Sequence, residues 1–215
     1  MIASSPDDVA IFPTMHSVAQ AILESGCLIV KSKPVFTWTS GIESPIYCDL
    51  RMIISQPKKR EILVGALVQK IKKLRAAPDI IAGTATAGIP WAAWVAAELK
   101  LPMLYVRTKA KLHGATRQIE GGTSRGKKVV LIEDMITTGL SSLAAVEALR
   151  GDGGRVIEIV SILSYGTTRA AHTFSENGLS VSSLLEVSAL LEVAVKLKRI
   201  AAATATGARA FIETL

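Results

Sequence analysis

The chain has 215 residues, of which 49% are hydrophobic, and its 25 Lys and Arg residues against 18 Asp and Glu residues leave a formal net charge of +7. This length supports one substantial hydrophobic core and is short for two full domains. The positive charge is scattered and aromatic residues make up only 5% of the chain, which argues against a base-stacking surface for nucleic acid.

Hydrophobic periodicity predicts alternating helices and strands along most of the chain. Helices are predicted at 16–25, 57–76, 89–99, 143–150, 167–176 and 187–199, with 204–215 as a tail or last helix. Strands are predicted at 79–82, 103–106, 129–132, 156–163 and 179–184. This alternation indicates an α/β fold with a mainly parallel, twisted sheet flanked by helices. Ligands in such folds bind at the carboxyl ends of the strands.

The segment from Phe36 to Arg51, FTWTSGIESPIYCDLR, precedes the predicted sheet. It mixes strand-forming residues with a Ser-Gly turn and a Ser-Pro step, which predicts a short hairpin-like segment outside the main sheet. The segment indicates no chemistry by itself.

Residues 83–88, GTATAG, form a loop of small residues between a predicted strand and a predicted helix. A loop without bulky side chains lets a ligand approach the backbone, and the next helix offers N–H groups at its start. The sequence is compatible with an anion site here and also with an ordinary tight turn.

The stretch from Arg107 to Lys128 has no usable periodicity. A structureless stretch of this length in a compact domain is usually functional or disordered. Its cations and glycines suit a mobile lid that would neutralise an anionic group and exclude water. A solvated basic loop is the alternative.

Residues 128–142, KVVLIEDMITTGLSS, have the order strand, acidic pair, hydroxyl-rich turn, helix. Residues 129–132 are an apolar run typical of a strand buried on both faces of a parallel sheet. Glu133 and Asp134 follow this run directly, which predicts two carboxylates at the carboxyl edge of the sheet.

The turn after the acidic pair carries hydroxyls at Thr137, Thr138 and Ser141. These hydroxyls and the unpaired N–H groups of the following helix suit a phosphate. The two carboxylates can accept hydrogen bonds from a diol. Phosphate and diol together describe a ribose 5-phosphate, whereas the alternative is an ordinary capped turn beside two solvated acids.

Residues 129–141 resemble the phosphoribosyl pyrophosphate (PRPP) motif of the type I phosphoribosyltransferases, which has four apolar residues, two acids, two apolar residues and then TTGLS. The GTATAG loop is similar to the pyrophosphate loop of the orotate branch of this family. The resemblance implies PRPP contacts from Glu133, Asp134, Met135, Ile136, Thr137, Thr138, Gly139, Leu140, Ser141, Thr84, Ala85 and Thr86. Leu140 stands where many members carry Gly or Thr, and Ala87 where other branches carry Lys.

Residues 36–51 resemble the hood that covers the base in the orotate branch. The resemblance implies orotate contacts from Ser40, Gly41, Tyr47 and Thr137. Thr39 stands where many members have a phosphate-binding Lys. The family often holds the orotate carboxylate with an Arg after the strand at 156–163; Tyr165 takes that place here, and Arg169 is a candidate substitute.

The stretch after Arg107 resembles the catalytic lid of the same branch. The resemblance implies catalytic roles for Arg107, Lys111 and His113 at PRPP bound in the partner subunit of a homodimer. Either Lys111 or His113 could protonate the pyrophosphate. Thr108 stands where many members have a second Lys.

The resemblance spans about residues 16 to 195. It implies one domain over 1–215 with the type I phosphoribosyltransferase fold, a small N-terminal hood mainly at 28–55 and a core at about 57–185. It also implies transfer of the 5-phosphoribosyl group from PRPP to orotate in pyrimidine biosynthesis, with Mg²⁺ carried by PRPP. Two alternatives stay open: a purine-type enzyme with a different hood, and a PRPP-sensing regulator that binds nucleic acid.

Cys27 and Cys48 are too few for a disulfide scaffold and lie in no metal-binding spacing, which predicts reduced thiols. The N-terminal residues lack the pattern of a signal peptide, and no apolar run approaches the ~20 residues that cross a bilayer. We predict a cytoplasmic protein with small-molecule substrates and without nucleic-acid or membrane partners.

Overall fold

The computed structural model describes residues 13–33, 36–38, 41–108 and 118–215. The helices are α1 (Met15–Glu24), α2 (Pro57–Lys72), α3 (Gly88–Leu99), α4 (Leu140–Gly151), α5 (Thr168–Glu176), α6 (Val187–Lys196) and α7 (Ala202–Glu213). The strands are β1 (Leu28–Val30), β2 (Phe36–Thr37), β3 (Glu43–Ser44), β4 (Ile46–Cys48), β5 (Ile80–Thr84), β6 (Met103–Val106), β7 (Ile119–Glu120), β8 (Lys128–Ile136), β9 (Arg155–Ser164) and β10 (Val181–Glu186). No helix in these ranges is long and apolar enough to cross a membrane.

The main sheet confirms the predicted α/β architecture. Within the described ranges it has six strands in the order β10-β9-β8-β5-β6-β7. All neighbours pair in parallel except β7, which runs antiparallel to β6. Helices cover both faces, so the central strands are buried on both sides and read as continuous apolar runs.

Side chains of β8 alternate between two hydrophobic clusters. Val130 and Ile132 pack into the cluster that includes α1, α2, α3 and α6. Val129 and Leu131 pack into the other, with α4 and α5. All four are fully buried, and burial of each such side chain contributes roughly 1.5–3 kcal/mol. This packing holds β8, and the acids near its carboxyl end, rigidly at the centre of the sheet.

The hood consists of two small antiparallel pairings. Strand β1 pairs with β4, and β2 pairs with β3 across the turn that contains Gly41. The predicted hairpin-like segment outside the main sheet is therefore confirmed. A 3₁₀ turn, Leu50–Ile53, leads from β4 towards α2.

Two sequence expectations need correction. Strand β8 does not end at Ile132 but continues through both acids to Ile136, because β9 pairs with it as far as Ser164. The region after Arg107 is not wholly irregular, since it contains β7.

Candidate active site

The carboxyl edge of the sheet brings four candidate site residues together. Strand pairing places Gly83 beside Ile132, so that Thr84 at the end of β5 and Glu133 in β8 follow on neighbouring strands. Asp134 comes next in β8, and Tyr165 follows β9 at the same edge. The parallel order of the sheet therefore creates the cluster that the sequence predicts.

The GTATAG loop lies directly against β8. A Cβ atom added to Gly88 would lie 2.6 Å from the carbonyl oxygen of Ile132, and one added to Gly83 would lie 2.8 Å from the carbonyl oxygen of Gly88. Only glycine permits these approaches. Between the two glycines, the Thr84 hydroxyl is buried and has no hydrogen-bond partner among the described residues. The peptide bond between Ala85 and Thr86 is cis.

Glu133 is a buried carboxyl whose environment favours its neutral form. It is 5% exposed, and its Oε2 accepts a hydrogen bond of 3.0 Å from the hydroxyl of Ser142 in α4. Burial and the negative charge of Asp134 raise the pKa of Glu133 to about 8, although the Ser142 hydrogen bond acts in the opposite direction. Burial also raises the pKa of Asp134, against the backbone N–H of Met135 and the charge of Arg51. The pair can thus offer both a donor and an acceptor to a diol.

The raised pKa of Glu133 predicts a pH-dependent stability. The unfolded chain loses this proton near the ordinary glutamate pKa of about 4.3, whereas the folded chain keeps it to about pH 8. Between these values the folded state holds more protons, so the free energy of unfolding falls as pH rises. Glu133→Gln removes this loss. We therefore compare the melting temperatures of ligand-free Glu133→Gln and wild type. The melting temperature of the variant minus that of wild type is expected to increase from about pH 5 to about pH 9.

Thermal unfolding of both proteins over this pH range measures the effect. Glu147→Gln, a change on the exposed side of α4, serves as the control and should keep a constant difference from wild type. A constant difference for Glu133→Gln as well would contradict the raised pKa.

The turn before α4 is built to present N–H groups. Gly139 precedes the helix with a left-handed φ of 76°, and no side chain caps the helix. The Thr167 hydroxyl donates to the carbonyl of Thr137 at 2.6 Å, and the Thr173 hydroxyl donates to that of Thr138 at 3.4 Å. With its carbonyls held by these side chains, the turn leaves the first N–H groups of α4 for an anion.

The sequence does not predict these contacts between the turn and α5. Its pattern predicts Thr167 only as the start of a helix, and Thr173 and Phe174 only as helical residues. The Phe174 ring packs so closely under Gly139 that an added Cβ atom would lie 2.7 Å from it. No local pattern signals this contact, because it joins two helices that are distant in sequence.

The hood places aromatic and charged side chains near the acidic pair. Tyr47 stacks on Phe36 with 5.5 Å between ring centroids. Arg51 donates from Nε and Nη2 to the two carboxylate oxygens of Asp49 at 2.6 and 2.8 Å. The charge of Arg51 lowers the pKa of Asp134, so this ion pair belongs to the electrostatics of the site.

The structure places four further predicted residues, and three others lie outside the described ranges. Gly41 is exposed with a left-handed φ of 83°, and its N–H donates to the carbonyl of Trp38. Arg107 directly follows β6 and contacts Glu120 at 3.5 Å. Ser141 and Leu140 are exposed at the start of α4. The predicted residues outside the described ranges are Ser40, Lys111 and His113.

Comparison with known proteins agrees with this fold and site. The family model for the phosphoribosyl transferase domain matches residues 52–181, so the chain belongs to the phosphoribosyltransferase family, with its type I fold. The orotate phosphoribosyltransferase of Listeria monocytogenes is 49% identical over 178 residues, which cover 83% of this chain and 85% of that protein. The Bacillus caldolyticus enzyme of the same name is 44% identical over 182 residues, covering 85% of this chain and 88% of the relative. Within the family, the chain is a member of the orotate phosphoribosyltransferases.

A solved structure supports the same placement. The crystal structure of orotate phosphoribosyltransferase from Aeropyrum pernix has a TM-score of 0.72 to this chain at 28% identity, and the match covers 85% of this chain and 99% of that one.

Proposed function

We propose that the protein transfers the 5-phosphoribosyl group from PRPP to orotate, giving orotidine 5′-monophosphate and pyrophosphate. The observation that carries the proposal is the buried acidic pair of β8 beside the free N–H groups of α4 and the close-packed GTATAG loop. This arrangement matches a sugar that bears a diol between two phosphate groups. Membership of the orotate branch supports orotate as the acceptor.

In this proposal each element binds one part of PRPP. Glu133 and Asp134 hold the ribose diol, and residues 137–141 bind the 5′-phosphate with N–H and hydroxyl groups. The pyrophosphate lies at the loop of residues 84–86, where the unpaired Thr84 hydroxyl supplies a donor. Mg²⁺ would be carried by PRPP, whose oxygen atoms suit a hard cation, and would reduce the negative charge on the leaving group.

The hood would hold the acceptor base. Ser40 and Gly41 contact the pyrimidine edge, Tyr47 packs on the ring, and Thr137 reaches it from the phosphate turn. Tyr165 lies buried at the sheet edge with its ring 4.9 Å from that of Trp38, whereas Arg169 is exposed on α5. Of these two candidates, Tyr165 is the one beside the hood, which favours it as the partner of the orotate carboxylate.

The reaction is a displacement at C1′ with oxocarbenium character. The ring nitrogen of orotate loses its proton and forms the bond to C1′ as the bond from C1′ to the pyrophosphate oxygen breaks, so no covalent enzyme nucleophile is needed. The negative charge of Asp134 stabilises the positive charge on the sugar, while the neutral carboxyl of Glu133 holds the diol by hydrogen bonds. Arg107, Lys111 and His113, from the partner subunit of a homodimer, neutralise the leaving pyrophosphate, and Lys111 or His113 gives it a proton.

A substrate comparison tests the proposal directly. Pyrophosphate release from Mg²⁺ and PRPP is measured with orotate, hypoxanthine or adenine as acceptor. Turnover with orotate alone is expected. Turnover with a purine would assign the protein to a purine-specific branch. No turnover, together with salt-dependent binding of RNA or DNA, would indicate a regulator.

Mixing two impaired variants tests whether the lid acts across the dimer. Lys111→Ala removes one cation from the leaving group and is expected to lower kcat about 10-fold, since a charge-assisted contact contributes roughly 1.5 kcal/mol. Asp134→Asn disables the sugar site. A mixed dimer has one site with an intact Asp134 and the partner subunit's intact Lys111. Random pairing of equal amounts should therefore restore about a quarter of wild-type activity.

Unfolding and refolding the two variants together provides the measurement, with each variant refolded alone as the control. If Lys111 acts within its own subunit, the mixture shows only the average of the two variants.

We place the enzyme in the cytoplasm. Cys27 and Cys48 are free thiols that share a hydrogen bond, with 3.9 Å between their sulfur atoms, and free thiols are typical of a reducing compartment.

A further inference from the structure

Trp38 connects the hood to two other parts of the molecule. Its ring lies 4.9 Å from that of Tyr165 at the carboxyl end of β9 and 5.9 Å from that of Phe211 in α7, with edge-on geometry in both cases. Its indole Nε1 donates to the carbonyl of Ile46 in β4 at 3.1 Å. The hood, the sheet edge and the last helix thus meet at one side chain.

Trp38 also closes the turn between β2 and β3. Its backbone N–H donates to the carbonyl of Ile42 at 2.9 Å, and its carbonyl accepts from the N–H of Gly41 at 2.8 Å. The backbone at Gly41 is therefore linked by hydrogen bonds to the residue whose ring is held by Tyr165, Phe211 and the carbonyl of Ile46. This is the turn to which the proposed function assigns the edge of the base.

Helix α7 supports Trp38 from outside the sheet. The helix packs against α6 and β1, and Phe211 projects its ring edge to the indole. Neither Trp38 nor Phe211 lies in the matched range 52–181. The acidic pair and the phosphate turn belong to β8 and α4. These elements form the part of the proposed site that binds PRPP, whereas the hood binds the base. Loss of the Phe211 ring should therefore affect the base and not PRPP.

We infer that Phe211 is a positioning residue for the acceptor base, acting through Trp38 on the turn at Gly41. This inference rests on the proposed function. Without the Phe211 ring, Trp38 keeps one of its two aromatic neighbours among the described residues, and the turn samples more conformations. Binding of orotate must then restore the order of the turn, which raises the KM for orotate and leaves the chemical step unchanged.

Phe211→Ala is expected to raise the KM for orotate about 5- to 10-fold, with kcat and the KM for PRPP within about 2-fold of wild type. Ile212→Ala is the matched control, because Ile212 is the next residue of α7 and is 9% exposed. It should lower the melting temperature as well but keep the KM for orotate. Phe211→Tyr retains the ring and should restore the wild-type KM.

Phe211→Leu keeps an apolar side chain against the helix and removes only the aromatic edge, so it serves if the alanine variant unfolds. A KM for orotate that rises equally in Phe211→Leu and Ile212→Ala would overturn the inference, as would an equal rise in the KM for PRPP. If wild-type protein does not turn over orotate at all, the proposed function itself fails, which is a separate and distinguishable result.

Discussion

Replacing Asp134 with asparagine is expected to lower kcat/KM for PRPP by about 100- to 1000-fold, because one preorganised charged group facing a developing charge contributes about 2.7–4 kcal/mol. The substitution keeps the shape of the side chain and removes its negative charge. Asp134 lies in β8 between Glu133 and Met135, where the sheet holds it in place. The loss should therefore appear in the transition state and not in the fold.

Initial rates at saturating orotate and varied PRPP measure this effect. Asp79→Asn is a matched control, since Asp79 lies before β5 at the opposite edge of the sheet and accepts from the backbone N–H of Lys128 at 2.7 Å. It should cost some stability and leave kcat/KM close to wild type. Equal kcat/KM values for Asp134→Asn and wild type would show that the sugar binds elsewhere.

Asp134→Asn is also expected to change the pH dependence of stability. The negative charge of Asp134 contributes to the raised pKa of Glu133. Removing that charge should lower the folded-state pKa of Glu133, so the pH-dependent loss of stability described above should end at a lower pH. A structural defect alone would not move this transition.

The sequence predicted the sheet well because its signals are local. The apolar runs of β5 and β8 show burial on both faces, and parallel order then brings their carboxyl ends together. Glu133, Asp134 and Thr84 could be assigned to one edge on these grounds. The run of small residues after β5 predicted only that a ligand could approach the backbone, whereas the close approach of Gly88 to β8 was not predicted.

Contacts between elements could not be predicted in this way. Strand β8 extends through its acids because β9 is long enough to pair with it there, and a sequence window on β8 contains no information about β9. The hydrogen bond from Ser142 to Glu133 depends on the angle at which α4 returns over the strand. The contact between Phe211 and Trp38 joins the hood to the last helix, which are far apart in the sequence. Periodicity reports which face of an element is buried, but not which residue it meets.

Gly139→Ala is expected to raise the KM for PRPP by about 100-fold, because a displacement of about 1 Å at a binding group can cost that much. Two effects combine at this position. Its φ of 76° is left-handed, which costs an alanine roughly 1–2 kcal/mol. The new Cβ atom would also lie 2.7 Å from Cζ of Phe174, so the turn or the ring must move away.

Gly126→Ala separates these two effects. Gly126 has a φ of 68°, but nothing lies within 4 Å of an added Cβ atom. This control should lose stability through backbone strain and keep its KM for PRPP. A second variant, Gly139→Ala with Phe174→Leu, gives the Cβ atom room and should recover part of the affinity while the strain persists. If Gly139→Ala binds PRPP as tightly as Gly126→Ala does, the turn before α4 is not the phosphate site. A loss that the added Phe174→Leu change does not relieve would instead assign the whole effect to the backbone of the turn.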